Sequence, residues 1–148
     1  MKKIIIWAAV LILAGCSPVG KDCVAVCGNG EVRILDMSAS DGRDFKEVWS
    51  WCKDDPSVSL PEGYDRYLHH IDDCKFVDGN TKLLLTASGN GMVLLDIETK
   101  EVLTYAHVPM AHSADLLPGG RVAVALSTHK KGNALEVYDI DKPEKTII

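Results

Sequence analysis

No apolar run in this chain is long enough to cross a bilayer as a mature helix. The run from Ile4 to Ala14 falls well short of the roughly 20 residues that a span requires. Positive charge is scarce: 16 Lys and Arg stand against 21 Asp and Glu, a formal net charge of −5. That balance argues against a phosphate-tracking surface, so nucleic acid is excluded as a partner. It also disfavours attraction to anionic lipid through charge. A Gly-rich phosphate loop, a nucleophile elbow and a Ser/His/Asp order are missing, which leaves no familiar catalytic signature. The five cysteines lack the spacing of a zinc site.

What the chain does contain is a repeated unit. From Ile71 to His107 four extended runs follow one another: Ile71 to Val77, Lys82 to Ser88, Met92 to Asp96 and Val102 to His107. They are separated by Asp78-Gly79-Asn80, Gly89-Asn90-Gly91 and Ile97 to Glu101. Short β-rich runs between such turns predict an antiparallel meander. Upstream, the segment from Val24 to Val32 answers that from Leu84 to Val93, with the two Gly-Asn-Gly turns superimposing at an offset of 61. Lys46 to Trp51 answers Lys100 to Tyr105, so Trp51 and Tyr105 fall at matching fourth-strand positions, beside Trp49. Downstream, Phe76-Val77-Asp78-Gly79 answers Leu116-Leu117-Pro118-Gly119 at an offset of 40, and Leu95-Asp96-Ile97 answers Tyr138-Asp139-Ile140 at 43. Propeller blades recur every roughly 40–50 residues. The expected fold is therefore all-β, a β-propeller of about three partial four-stranded blades over residues 23–52, 71–107 and 112–148, with a loop at 53–70.

Ahead of the repeats, Lys2 and Lys3 precede the apolar run, and Leu13-Ala14-Gly15-Cys16 follows it. These are the parts of a signal peptide in order. The last four resemble a bacterial lipobox, in which the cysteine is lipidated and becomes the mature N-terminus. Residues 1–15 are thus expected to be a signal peptide and residues 16–22 a tether, with lipid on Cys16 as the membrane attachment. The expected location is the bacterial cell envelope, periplasmic or on the cell surface.

The first repeat begins at Cys23 to Cys27, which corresponds to the second strand of the reference unit, so its innermost strand is absent. Propellers usually have about four to eight blades, and three partial ones make the N-terminal half of a ring. Open ends expose strand edges and apolar faces, which invite association. The expectation is a truncated reading frame, with the alternative that an oligomer or another chain supplies the remaining blades.

Candidate chemistry gathers at the start of two inner strands. Alignment sets Asp72-Asp73-Cys74-Lys75 opposite His112-Ser113-Ala114-Asp115. Asp72, Asp73, His112 and Ser113 would converge at a channel mouth, with His69 and His70 just outside. Carboxylates with imidazoles suit a divalent cation or acid–base work; their bland role is to cap strand ends. Lys75 and Asp115 occupy equivalent places and would form a salt bridge between blades. Cys23 and Cys27, four residues apart in one strand, span about 13 Å, beyond the roughly 7 Å a disulfide allows. Free thiols are expected, with a link to Cys52 as the alternative. Trp49, Trp51 and Tyr105 are expected to pack rather than to stack on sugar.

The segments Ala111 to Gly120 and Ile71 to Lys75 resemble a family of bacterial lipoproteins labelled domain of unknown function 6528. The resemblance covers nearly all of the mature chain and implies a β-propeller of about twice this length, without an activity. His112 to Gly119 also resembles a motif of the propeller arylsulfotransferases. Three functions follow as expectations: a module binding a small molecule, such as a glycan; a propeller lyase, hydrolase or sulfotransferase acting on saccharides or sulfate esters; and a scaffold in an envelope complex. Fold alone does not choose among them, and neither a cofactor nor a metal is specified.

Overall fold

The computed structural model describes residues 19–38, 45–60, 62, 68–88, 91–126, 135–139 and, for backbone alone, 142–146. The leader, Cys16, Gly89-Asn90 and His129 lie outside the described residues. Every regular element among those described is a strand. The first sheet holds β1 (Cys23–Gly28), β2 (Glu31–Asp36) and β3 (Lys46–Cys52). The second holds β4 (Ile71–Val77), β5 (Lys82–Ala87), β6 (Gly91–Asp96) and β7 (Val102–His107). The third holds β8 (Ala111–Leu117), β9 (Arg121–Leu126), β10 (Leu135–Asp139) and β11 (Lys142–Thr146). Each is an antiparallel meander in which chain neighbours pair. Pro143 falls on an edge strand, where proline's missing N–H is tolerated.

Hydrophobic patterning decides how the sheets stack. β2 alternates over its first four residues, Glu31 and Arg33 exposed, Val32 and Ile34 buried, so there only one of its faces is covered. β5 does not alternate: Leu83, Leu84, Leu85, Thr86 and Ala87 are all buried. A strand buried on both faces belongs to a layer with neighbours on each side, and the second sheet is that layer. On one side Leu83, Leu85, Ala87, Val93 and Leu95 meet Val32, Ile34 and Trp51 of the first sheet. On the other, Leu84, Met92 and Ala106 meet Ala114, Val122, Val124 and Tyr138 of the third. The outward face of the first sheet leaves Val24 and Val26 40% and 42% exposed, which marks it as uncovered in this chain.

The inter-sheet contacts repeat. β1 packs against β4 as β5 packs against β8, so β1 holds the place that a second strand holds in the next sheet. Two turns also correspond. Gly79 and Asn80 after β4 have φ of 65° and 66°, and Gly119 and Gly120 after β8 have 79° and 73°. Asn tolerates this left-handed region better than most side chains, and Gly enters it freely.

Two expectations from the sequence are corrected. The Gly-Asn-Gly turns do not superimpose: Gly28 pairs with Glu31 across a two-residue turn, whereas Ala87 pairs with Gly91 across three. An extra loop residue shifts the following strand by one position, and in a strand one position exchanges the faces. Val32 therefore faces the second sheet, while Val93, its expected counterpart, faces back toward the first. Trp51 and Tyr105 are affected in the same way, since they pair with Val32 and Val93. They enter one core from facing sheets instead of repeating each other. Both pack, as does Trp49, whose indole N–H donates to the Ile97 carbonyl at 2.8 Å while Lys100 Nζ sits 5.5 Å from its ring centroid.

Candidate functional site

β4 and β8 start alike. The pairing of β4 with β5 slips between Ile71 and Asp73, and that of β8 with β9 slips between Ala111 and Ser113. Asp72 and His112 are the residues skipped, so each sits on a bulge. A bulge leaves one residue out of the ladder and re-aims its side chain. The two strands pack against each other, and the 40-residue register therefore brings Asp72-Asp73 and His112-Ser113 to corresponding places on adjacent sheets.

The side chains then divide into a fixed set and an exposed set. Asp72 is 11% exposed and accepts a hydrogen bond from the Ser88 backbone N–H. Its other oxygen lies 3.4 Å from His70 Nε2, on an imidazole that is 65% exposed. Ser113 Oγ donates to Asp73 at 2.6 Å. Lys75 Nζ donates to Ser113 Oγ at 3.1 Å and to Asp115 at 2.9 Å, and stands 3.4 Å from Asp73. The expected salt bridge between Lys75 and Asp115 is thus present. Burial opposes the Lys75 charge, but the hydrogen bond from Lys75 to Asp115 and the field of Asp73 outweigh it, and the ammonium is held above its ordinary range. His69, His70 and His112 face solvent.

Two contacts that the sequence did not mark flank these residues, one on each side of the second sheet. Thr86, 1% exposed, donates its hydroxyl to the His112 carbonyl at 2.9 Å, which holds the β8 bulge against β5. Its only signal in the sequence was a hydroxyl directly after Leu83-Leu84-Leu85. Behind the acids, the Cys74 thiol lies close to that of Cys27 on β1. Desolvation raises both thiols above their ordinary range, more strongly at Cys74. Cys23, Cys27, Cys52 and Cys74 are all free and half-buried.

The arrangement offers carboxylate, hydroxyl, ammonium and imidazole groups in one row across a sheet junction. Among the described residues no group of three or more His, Cys, Asp or Glu side chains is gathered to hold a metal ion. Asp72 and Asp73 are instead engaged by Ser88, Ser113 and Lys75, which suits them to orient hydrogen-bonding partners.

The fold is similar to parts of larger solved structures. A europium-containing methanol dehydrogenase aligns with TM-score 0.53 and 15% identity, over 88% of this chain and 23% of that one. A structure described as the eukaryotic initiation factor aligns with TM-score 0.49 and 10% identity, over 81% and 27%. The chain spans about a quarter of the length of these two. No curated protein matches it. The model of the Family of unknown function (DUF6528) matches residues 19–142, and the chain belongs to that family.

Proposed function

We propose that the chain is a lipid-anchored binding module of the bacterial cell envelope, part of a β-propeller whose inner strands β4 and β8 present a polar row to a small ligand, a glycan by its chemistry. The propeller reading draws support from the repeated packing, β1 on β4 and β5 on β8, since a ring of radially set sheets needs one relation between every pair of neighbours. The fold-level likeness to the methanol dehydrogenase is consistent with it. Anchoring rests on the charged start, the apolar run and Leu13-Ala14-Gly15-Cys16.

The observation that carries the ligand reading is the pair of equivalent bulges, one bearing Asp72 and the other His112. Saccharide hydroxyls both donate and accept, and an imidazole beside held carboxylates and a serine supplies complementary groups. Each such bond is worth only about 0.5–1.5 kcal/mol net in contact with water, so a few of them give modest affinity. Calorimetric titration of the full chain with a panel of neutral, acidic and sulfated saccharides tests this. Saturable binding of at least one class is expected, and a flat response to all of them overturns the reading. Lipidation is tested separately by detergent partitioning. Wild type should enter the detergent phase and Cys16→Ser should stay out; wild type in the aqueous phase contradicts the anchor.

A further inference from the structure

Cys27 and Cys74 meet where two sheets touch without sharing backbone hydrogen bonds. β1 is an edge of the first sheet and β4 an edge of the second, and the two strands pack together. Both cysteines rest on the same core, and their thiols lie close enough for each to act on the titration of the other. Neither is sealed from solvent. Cys27 lines an open depression of about 380 Å³ together with Val26, Asn29, Glu31 and Arg33.

We propose that Cys27 and Cys74 form a disulfide that joins β1 to β4 when the chain meets a small disulfide oxidant. The other cysteines are out of reach of Cys27. Cys23 lies at the far end of the same strand, opposite Asp36, at about 13 Å by strand rise. Cys52 pairs with Glu31, which pairs in turn with Gly28, so it sits two strand spacings from β1, roughly 9–10 Å and beyond the roughly 7 Å limit. Among the described cysteines, Cys27 and Cys74 are the two whose thiols act on each other.

The chemistry is thiol–disulfide exchange. Of the two thiols Cys27 is the less strongly raised, so its thiolate forms first. That thiolate attacks one sulfur of oxidised glutathione, its S–S bond breaks, and the first glutathione leaves, taking up the proton that Cys27 lost. Cys74 then attacks the Cys27 sulfur of the mixed disulfide, and the second glutathione leaves as a thiol with the Cys74 proton. Two protein thiols are oxidised and one glutathione disulfide is reduced to two thiols. Desolvation, with the charges of Asp73 and Asp72 adding at Cys27, keeps the pair protonated, so exchange is slow near neutrality and speeds up with rising pH. The link fixes the edge from which Asp72 and Asp73 project.

The test is incubation of the full chain with oxidised glutathione at pH 7 and pH 9, followed by alkylation and peptide mapping without reduction. The expected product is a cross-linked peptide pair carrying Cys27 and Cys74, with Cys23 and Cys52 still alkylated, formed about tenfold or more faster at pH 9. Cys27→Ser should abolish the pair and Cys52→Ser should leave it unchanged. The proposal is overturned if Cys27 and Cys74 both remain alkylated, if either links to Cys23 or Cys52, or if only a glutathione adduct accumulates. The wild-type map decides this even if a variant fails to fold. The cross-linked chain should also unfold at higher denaturant concentration than the reduced one, and an unchanged midpoint contradicts the claim that the bond joins the sheets.

Discussion

At the level of single residues, the junction between the second and third sheets depends on a few polar groups set among apolar ones. Thr86→Val keeps the shape but removes the donor to the His112 carbonyl, leaving an acceptor poorly satisfied. A loss of roughly 1–2 kcal/mol is expected in denaturant unfolding; no loss would mean that the bulge is held by packing alone. The thiols carry a pH signature. Cys27 and Cys74 titrate above the ordinary thiol value of 9.0 in the folded chain, so above that pH the unfolded chain gives up protons that the folded chain keeps. The unfolded state then binds fewer protons, and stability falls as pH rises. Lys75 adds to this only above its ordinary 10.5, because its raised folded value preserves the pair up to that point and loses it beyond. Stability followed from pH 8 to 10.5 should decline, and less steeply in Cys74→Ala. Equal slopes would contradict the assignment to the thiols. Lys75 and Asp115 were legible as partners from the sequence because charge inside an apolar strand demands a counterpart. Cys27 and Cys74 were not, since their meeting depends on how β1 packs against β4.

Strands are the scale at which sequence and structure agree most closely. The four runs from Ile71 to His107 correspond to β4–β7 within a residue or so at each end, because turn residues bound each run and β-rich composition fills it. Register was harder to read. The 40-residue offset holds between β4 and β8 because both have seven residues and the same bulge. The 61-residue offset misleads because Gly and Asn suit turns of either length, so residue identity does not count the residues between paired ends. Faces, not letters, carry that information: Leu85 is fully buried between sheets, while Val26 is exposed on the first sheet. Leu85→Ala is therefore expected to cost about 2–5 kcal/mol, and Val26→Thr to stay within about 0.5 kcal/mol. Comparable losses from both in thermal or denaturant unfolding would contradict the assignment of the faces. Gly30 gives a third check on backbone. Its φ of 76° and the Lys53 side chain 3.0 Å from a would-be Cβ predict that Gly30→Ala destabilises by about 1 kcal/mol or more.

For the molecule as a whole, the second sheet is held between two cores, and β4 joins them. Its Cys74 and Phe76 pack toward the first sheet, while Asp73 and Lys75 bond to the third. The candidate site is thus a property of the stack. An all-β class, three sheets and the pairing of Asp72-Asp73 with His112-Ser113 could be inferred from repeats. The division into held carboxylates and exposed imidazoles could not, because it depends on Ser88 and Thr86, which no repeat marks. We propose this junction as a ligand face, and calorimetric titration of wild type, His112→Ala and Asp73→Asn with the saccharide bound best by the full chain tests that role. His112 projects from a bulge into solvent, so its removal should weaken binding about tenfold, equivalent to about 1.4 kcal/mol, with the melting temperature unchanged. Asp73→Asn should weaken binding and stability together. Unaltered affinity in His112→Ala, at full occupancy and unchanged stability, would contradict the claim.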